Sequence, residues 1–182
     1  MSDKELGKKM VEEEELLSFL EAYKDVVEEY LSDNFDSHER PDFICYRPDG
    51  TPVGVELVRI MRDPRDAQAD FILSKIEYME GEEALKILYH MIDKKEEKRR
   101  QSGWELPDNT ILVLQFADCP IADLHLPGKS LEMDFVSHGF VEIWIADYTC
   151  EEAYGAIDLF CLYPPEWWGY WERKGHTWKP YG

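Results

Sequence analysis

Hydrophobic side chains recur at helical spacing in two long stretches of the chain. Residues 11–32 predict the first helix, and its apolar face consists of Leu16, Leu17, Leu20, Tyr23, Val26, Val27, Tyr30 and Leu31. The acidic run Glu12–Glu15 falls in the first turn of this predicted helix, where the helix dipole favours negative charge. A second helical stretch covers residues 65–100, with a break at Gly81. It ends in a lysine- and arginine-rich run, as is typical of a helix C-terminus.

Shorter apolar and β-branched runs predict strands. Two of them, at residues 42–47 and 53–60, flank a Pro-Asp-Gly-Thr-Pro connection and predict a β-hairpin. Residues 110–117 are almost wholly apolar, which is typical of a central strand. Further strands are predicted at 140–146 and 156–162, and a short helix is predicted within 126–137. This order of elements predicts an α/β protein in which helices flank a mixed β-sheet.

The length of 182 residues suits one domain, 1–182, with one hydrophobic core. Its C-terminal tail, residues 164–182, is rich in tryptophan, and four of the six tryptophans fall in the last sixteen residues. Tryptophan and tyrosine supply large apolar area with a polar handle. We expect the tail to pack on the domain and cap an open end of the sheet. The alternative is a partner-binding or homodimer surface.

Charge and cysteine content narrow the function classes. The net charge is −19, and the first, middle and last thirds of the chain are each acidic. A broad phosphate-binding surface is therefore disfavoured. The cysteines, Cys45, Cys119, Cys150 and Cys161, are irregularly spaced, which argues against structural zinc. No apolar run is long enough to span a membrane, and the first residues lack the apolar stretch of a signal peptide. We therefore expect a cytoplasmic protein that does not bind membranes.

Two carboxylates stand out in the predicted hairpin. Asp42 follows Pro41 at the start of the first strand, and Glu56 lies within the apolar second strand. A glutamate among valines and leucine is costly to bury without a partner. Strand side chains alternate, so the connection decides whether both carboxylates share a face. A two-residue turn at Asp49-Gly50 would place them on opposite faces, whereas a three- or five-residue loop would place them on one face.

Pro41-Asp42 and the following Gly-Val-Glu-Leu-Val segment resemble the metal-binding core of the PD-(D/E)XK nuclease superfamily, which has the restriction-endonuclease-like fold. The resemblance covers about twenty of the 182 residues. It implies that Asp42 and Glu56 bind Mg²⁺, with Glu39 near the place of an accessory acid. The family's lysine, two residues after the glutamate, is replaced by Val58. In some members the following helix supplies the lysine instead, which here implies Lys75.

Two classes of function remain open at this point. The resemblance implies a nuclease-fold protein, either a divergent or an inactive Mg²⁺-dependent phosphodiesterase that acts on nucleic acid. Such chemistry needs hard oxygen ligands and a metal that activates water. The alternative is an acidic binding or regulatory protein, such as an immunity-type inhibitor or nucleic-acid mimic, that recognises a basic protein partner. The charge of −19 favours the second class and predicts weak cleavage of duplex DNA.

Overall fold

The computed structural model describes residues 3–61, 79–124, 139–149, 151 and 155–169. In chain order the helices and strands are α1 (Asp3–Val26), β1 (Phe35–Ser37), β2 (Phe43–Tyr46), β3 (Pro52–Ile60), α2 (Gly81–Arg99), β4 (Thr110–Phe116), β5 (Glu142–Asp147) and β6 (Asp158–Tyr163). Short 3₁₀ turns occupy Ile121–Leu124 and Pro165–Trp167. The predicted helix within 126–137 and residues 62–78 of the second helical stretch lie outside the described residues.

The described strands form one six-stranded mixed sheet in the order β1-β2-β3-β4-β5-β6. The central strands β3, β4 and β5 run parallel, and the outer pairs are antiparallel. Helix α2 lies in the connection from β3 to the parallel β4, as a crossover requires. The predicted α/β class is confirmed, and so is the predicted hairpin with a neighbouring central strand.

A helix covers each face of this sheet. The α1 side buries Leu16, Phe19, Leu20 and Tyr23 of the helix against Val53, Val55, Ile111, Val113 and Trp144. The α2 side buries Ala84, Leu88 and Ile92 against Val58, Ile60, Leu112, Leu114 and Ile145. Strand β4 is buried along its whole length, which explains why its sequence is a continuous apolar run.

The predicted bounds of the first helix, 11–32, are wrong at both ends. Helix α1 begins at Asp3 and ends at Val26, so Glu12–Glu15 lie in mid-helix instead of the first turn. Val27 and Leu31 are buried beyond the helix end. There the chain turns along the sheet edge and forms β1, a strand that the sequence analysis missed. The helical spacing of apolar residues indicates which side chains are buried. Because an irregular backbone can bury the same positions, the spacing alone does not locate the end of the helix.

The connection between β2 and β3 is a five-residue loop, residues 47–51, closed by the pair Tyr46↔Pro52. The Arg47 backbone N–H donates to the Thr51 carbonyl at 2.9 Å, and Gly50 N–H donates to the Arg47 carbonyl at 2.9 Å. Gly50 has φ +86°, a left-handed conformation that glycine adopts without strain. This loop sets the register of the hairpin and hence the face on which each side chain lies.

The start of the tryptophan-rich tail packs on the sheet. The ring of Trp167 lies 6.2 Å from that of Trp144, and Trp168 meets Phe160 edge to face at 5.5 Å. Each therefore extends the core on one side of the sheet. The tail from residue 170 onward lies outside the described residues. Within the described ranges, neither helix combines the length and apolarity that crossing a membrane requires.

Candidate functional site

Asp42 and Glu56 lie side by side at the start of β2. The register pairs Phe43 with Val55, so one step back Asp42 stands opposite Glu56. The Asp42 backbone N–H donates to Glu56 Oε2 at 3.1 Å, and the Leu57 N–H donates to Asp42 Oδ2 at 2.9 Å. The five-residue loop thus gives the one-face arrangement, and the two carboxylates converge.

This meeting point lies where β2 stops covering β3. The pairing of the two strands ends at Val55, whereas β3 continues to Ile60. Beyond that point the Asp42 carboxylate, instead of a strand carbonyl, accepts the hydrogen bond of the Leu57 N–H. The edge of β3 beyond Glu56 is therefore not covered by β2.

A lysine from α2 joins the pair. Lys95 Nζ donates to Glu56 Oε1, and both side chains are largely buried. Lys95 follows Leu88 and Ile92 on the face of α2 that packs on the sheet, at helical spacings of seven and three residues. Val58, where the resemblance led us to expect a lysine, is only 3% exposed and lies in the core beneath the same helix. A cation therefore reaches Glu56 from the helix above instead of from the strand.

The electrostatics of this group are unbalanced. Burial, and then the neighbouring Glu56 carboxylate, raise the pKa of Asp42 to about 7. The Leu57 N–H and the Lys95 ammonium act in the opposite direction, and Glu12 adds to the increase. One ammonium thus faces two close carboxylates, with a third nearby. A further cation at this place would relieve the repulsion.

The group opens into a cleft of about 520 Å³ between the uncovered part of β3 and α1. Asp42, Leu57, Arg59, Lys95 and Gln115 line the sheet side, and Gly7, Lys8, Val11, Glu12 and Glu15 line the helix side. Of the group around Asp42, both Asp42 and Lys95 line the cleft, whereas Glu56 does not. The cleft therefore combines carboxylates and cations, the two kinds of group that binding a metal and a phosphate requires.

The α1 wall of the cleft is held by a polar cluster. Glu15 pairs with Arg59, and Gln115 Nε2 donates to the other Glu15 carboxylate oxygen at 3.1 Å. Arg59 and Gln115 are register partners on adjacent strands. The Tyr148 hydroxyl donates to the Glu15 backbone carbonyl at 2.8 Å. These contacts from three strands or their ends fix the position of Glu15 and orient Arg59 toward the cleft.

One predicted site residue that the structure describes, Glu39, does not join this group. Glu39 is exposed and does not line the cleft. Lys75 lies outside the described residues. Sequence reasoning missed Lys95, because it treated the run at 94–100 as a solvated helix end. It also missed Glu12 and Glu15, whose acidic run was interpreted as a helix start. The signal for Lys95 was its position on the apolar stripe of the helix, seven residues after Leu88.

A second buried polar network lies around Glu142 on β5. Its carboxylate accepts hydrogen bonds from Tyr23 Oη at 3.0 Å, Arg47 Nη2 at 3.0 Å and Trp144 Nε1 at 2.7 Å. Burial raises the pKa of Glu142, and the tryptophan, arginine and tyrosine donors oppose that shift. This network ties the hairpin loop to α1 and β5. Because the hydrogen-bonding groups of this network satisfy one another, we assign the network a structural role.

Comparisons with protein-family models, with curated proteins and with solved structures find no match for this chain. Within the described part of the chain, no three histidine, cysteine, aspartate or glutamate side chains lie close enough to enclose a metal ion by themselves. Mg²⁺ seldom needs such a cage, because it retains several waters and binds through one or two carboxylates and the substrate's phosphate. The donor set of Asp42 and Glu56 fits that pattern.

Proposed function

We propose that this chain is a Mg²⁺-dependent phosphodiesterase of the PD-(D/E)XK type, in which Lys95 from α2 replaces the missing strand lysine. The observation that carries the proposal is the meeting of Asp42, Glu56 and Lys95, of which Asp42 and Lys95 also line the cleft. Two kinds of group, two carboxylates and one ammonium, meet there from three separate elements.

The order of elements supports the same proposal. The family's core has three strands before its second helix, and here β1, β2 and β3 precede α2. Asp42 stands at the start of the middle strand of these three, and Glu56 lies within the next strand. The family's accessory acid comes from the preceding helix, and Glu12 of α1 lines the cleft beside Asp42. Glu12 is therefore a better candidate for that role than Glu39.

The carboxylates of Asp42 and Glu56 would hold the ion. When bound, Mg²⁺ lowers the pKa of a coordinated water and offsets negative charge on the phosphate. Asp42 must be ionised to act as a ligand, and its pKa of about 7 makes binding tighten as the pH rises through neutrality. Proton competition at Asp42 therefore predicts activity that increases from weakly acidic to weakly alkaline pH.

Lys95 provides the second part of the chemistry. Its ammonium has three donors, of which one contacts Glu56. The others would orient a water molecule or stabilise charge that develops on a phosphate oxygen in the transition state. Its contact with Glu56 holds the lysine in position. Val58 cannot perform these tasks, because an apolar side chain offers no donor.

The second candidate is an acidic protein-binding module without catalysis. The net charge of −19 favours it, since such a surface attracts basic proteins and repels long polyanions. In the part of the tail that the structure describes, Trp167 and Trp168 pack on the sheet. The charge is thus the observation behind this candidate. The two proposals differ in what they expect of Asp42 and Lys95, which only a catalytic site needs.

The test combines metal binding with hydrolysis. We expect calorimetry to detect Mg²⁺ binding to the wild type and not to Asp42→Asn. We expect hydrolysis of bis(p-nitrophenyl) phosphate and of a short single-stranded oligonucleotide to fall at least about a hundredfold in Asp42→Asn and Lys95→Met. Lys94→Met is the matched control, since Lys94 is an exposed neighbour in the same helix. Equal Mg²⁺ binding by wild type and Asp42→Asn, or hydrolysis that survives Lys95→Met, would refute the proposal.

A further inference from the structure

The cleft is lined by as many basic as acidic side chains, whereas the chain as a whole has a large excess of acidic ones. Three cations, Lys8, Arg59 and Lys95, line it in a protein whose net charge is −19. Lys95 is buried beside Glu56, whereas the Arg59 side chain is 52% exposed and faces the cleft from β3. These two cations therefore lie at different depths of one cavity, and they suit different parts of one anionic ligand.

Arg59 lies close along β3 to Leu57, the residue whose N–H binds the Asp42 carboxylate. Leu57, whose N–H binds Asp42, and Arg59 are two residues apart, so their side chains share a face. The strand rise separates them by about 7 Å. One nucleotide unit can bridge such a span between consecutive phosphates. A phosphate at Arg59 would thus be the neighbour of one held at Asp42 and Glu56.

Arg59 is also oriented for this task. Its contact with Glu15 uses part of a guanidinium that carries five N–H donors in a rigid fork. Glu15 is in turn held by Gln115 and by the Tyr148 hydroxyl at its backbone carbonyl. The remaining donors can bind a phosphate bidentately, which a flexible lysine cannot do. The guanidinium reaches the cleft already positioned, so little conformational entropy is lost on binding.

We propose that Arg59 is a second phosphate subsite and that the cleft takes short single-stranded nucleic acid through two consecutive phosphates. This inference rests on the proposed function, since it places the reacting phosphate at Asp42 and Glu56. The cleft volume of about 520 Å³ is that of a small-ligand site. Phosphates beyond it would meet an acidic protein, so each further nucleotide adds repulsion instead of affinity.

The test compares two ligands that differ by one phosphate, in the presence of Mg²⁺. We expect wild type to bind a nucleoside 3′,5′-bisphosphate at least about tenfold more tightly than the 5′-monophosphate. In Arg59→Gln this ratio should fall to about one, while Mg²⁺ binding and the melting temperature stay unchanged. Arg100→Gln is the control, since Arg100 is a similarly exposed arginine at the end of α2, and it should keep the wild-type ratio.

A second measurement tests the substrate class. We expect wild type to cleave a short single-stranded oligonucleotide faster than a duplex of the same length, and Arg59→Gln to raise KM for the single strand more than it lowers kcat. If the wild type binds Mg²⁺ but binds the bisphosphate and the monophosphate equally well, the subsite proposal alone is wrong. It is also wrong if Arg59→Gln leaves the ratio of the two affinities unchanged. Preference for the duplex would overturn the substrate class. If the wild type itself does not bind Mg²⁺, the proposed function is refuted instead.

Discussion

Replacing Asp42 by asparagine removes a charge and keeps the shape of the side chain. The asparagine Oδ1 can still accept the Leu57 N–H, and its amide group can donate to Glu56, where the wild-type carboxylate repels. Burial and Glu56 raise the pKa of Asp42 from 3.8 to about 7. The folded chain therefore holds this proton more tightly than the unfolded chain does. The free energy of unfolding consequently falls as pH rises from about 4 to about 7, and stays low above that.

The size of the effect follows from the pKa difference. Each pKa unit corresponds to 1.36 kcal/mol, so the full shift corresponds to about 4 kcal/mol. Partial solvent exposure of Asp42 screens the repulsion, and we expect about half of that value. Asp42→Asn should therefore be about 2 kcal/mol more stable than the wild type at about pH 8. Below about pH 3, where Asp42 is protonated in both the folded and the unfolded wild type, the two proteins should be nearly equal.

Urea denaturation at a series of pH values, followed by circular dichroism, measures this difference directly. Asp25→Asn, at an exposed position of α1, reports the effect of removing one surface carboxylate. Adding Mg²⁺ at about pH 8 should reverse the order, since only the wild type gains binding free energy. If Asp42→Asn is no more stable than the wild type at about pH 8, or if both show the same pH dependence, the electrostatic description of the site is wrong.

Four further substitutions test how the fold supports the site. Gly54→Ala should destabilise the protein by about 1–3 kcal/mol, because its Cβ would lie 2.7 Å from a proline and a threonine side chain. Gly7→Ala meets nothing within 4 Å and should stabilise α1 by up to about 1 kcal/mol. Thermal melts compare the two variants. Val58→Lys introduces a lysine two residues after Glu56 but buries a charge beneath α2, so we expect a loss of several kcal/mol and no gain in hydrolysis. Arg47→Gln leaves Glu142 without its cation and should cost about 3 kcal/mol in urea denaturation; an unchanged midpoint would contradict that role.

Local pattern was enough to predict much of the fold. The apolar run of β4 and the proline-bounded hairpin have one reasonable interpretation each, because burial on both faces demands a continuous apolar sequence. The same logic failed at the end of α1. Val27 and Leu31 are buried at helical spacing, yet they lie in the segment between the end of α1 and the start of β1. Spacing determines which side chains face the core, and hydrogen bonds to a neighbouring strand decide the backbone.

The sequence by itself determined that Asp42 and Glu56 flank a tight connection, which made a shared site a clear hypothesis. Only the tertiary structure decided that they meet, since the loop at 47–51 fixes the register, and one residue more or less would turn the two carboxylates to opposite faces. It also decided which lysine joins them. Lys95 lies 39 residues after Glu56, and their contact depends on where α2 crosses the sheet, a packing outcome that no local spacing encodes.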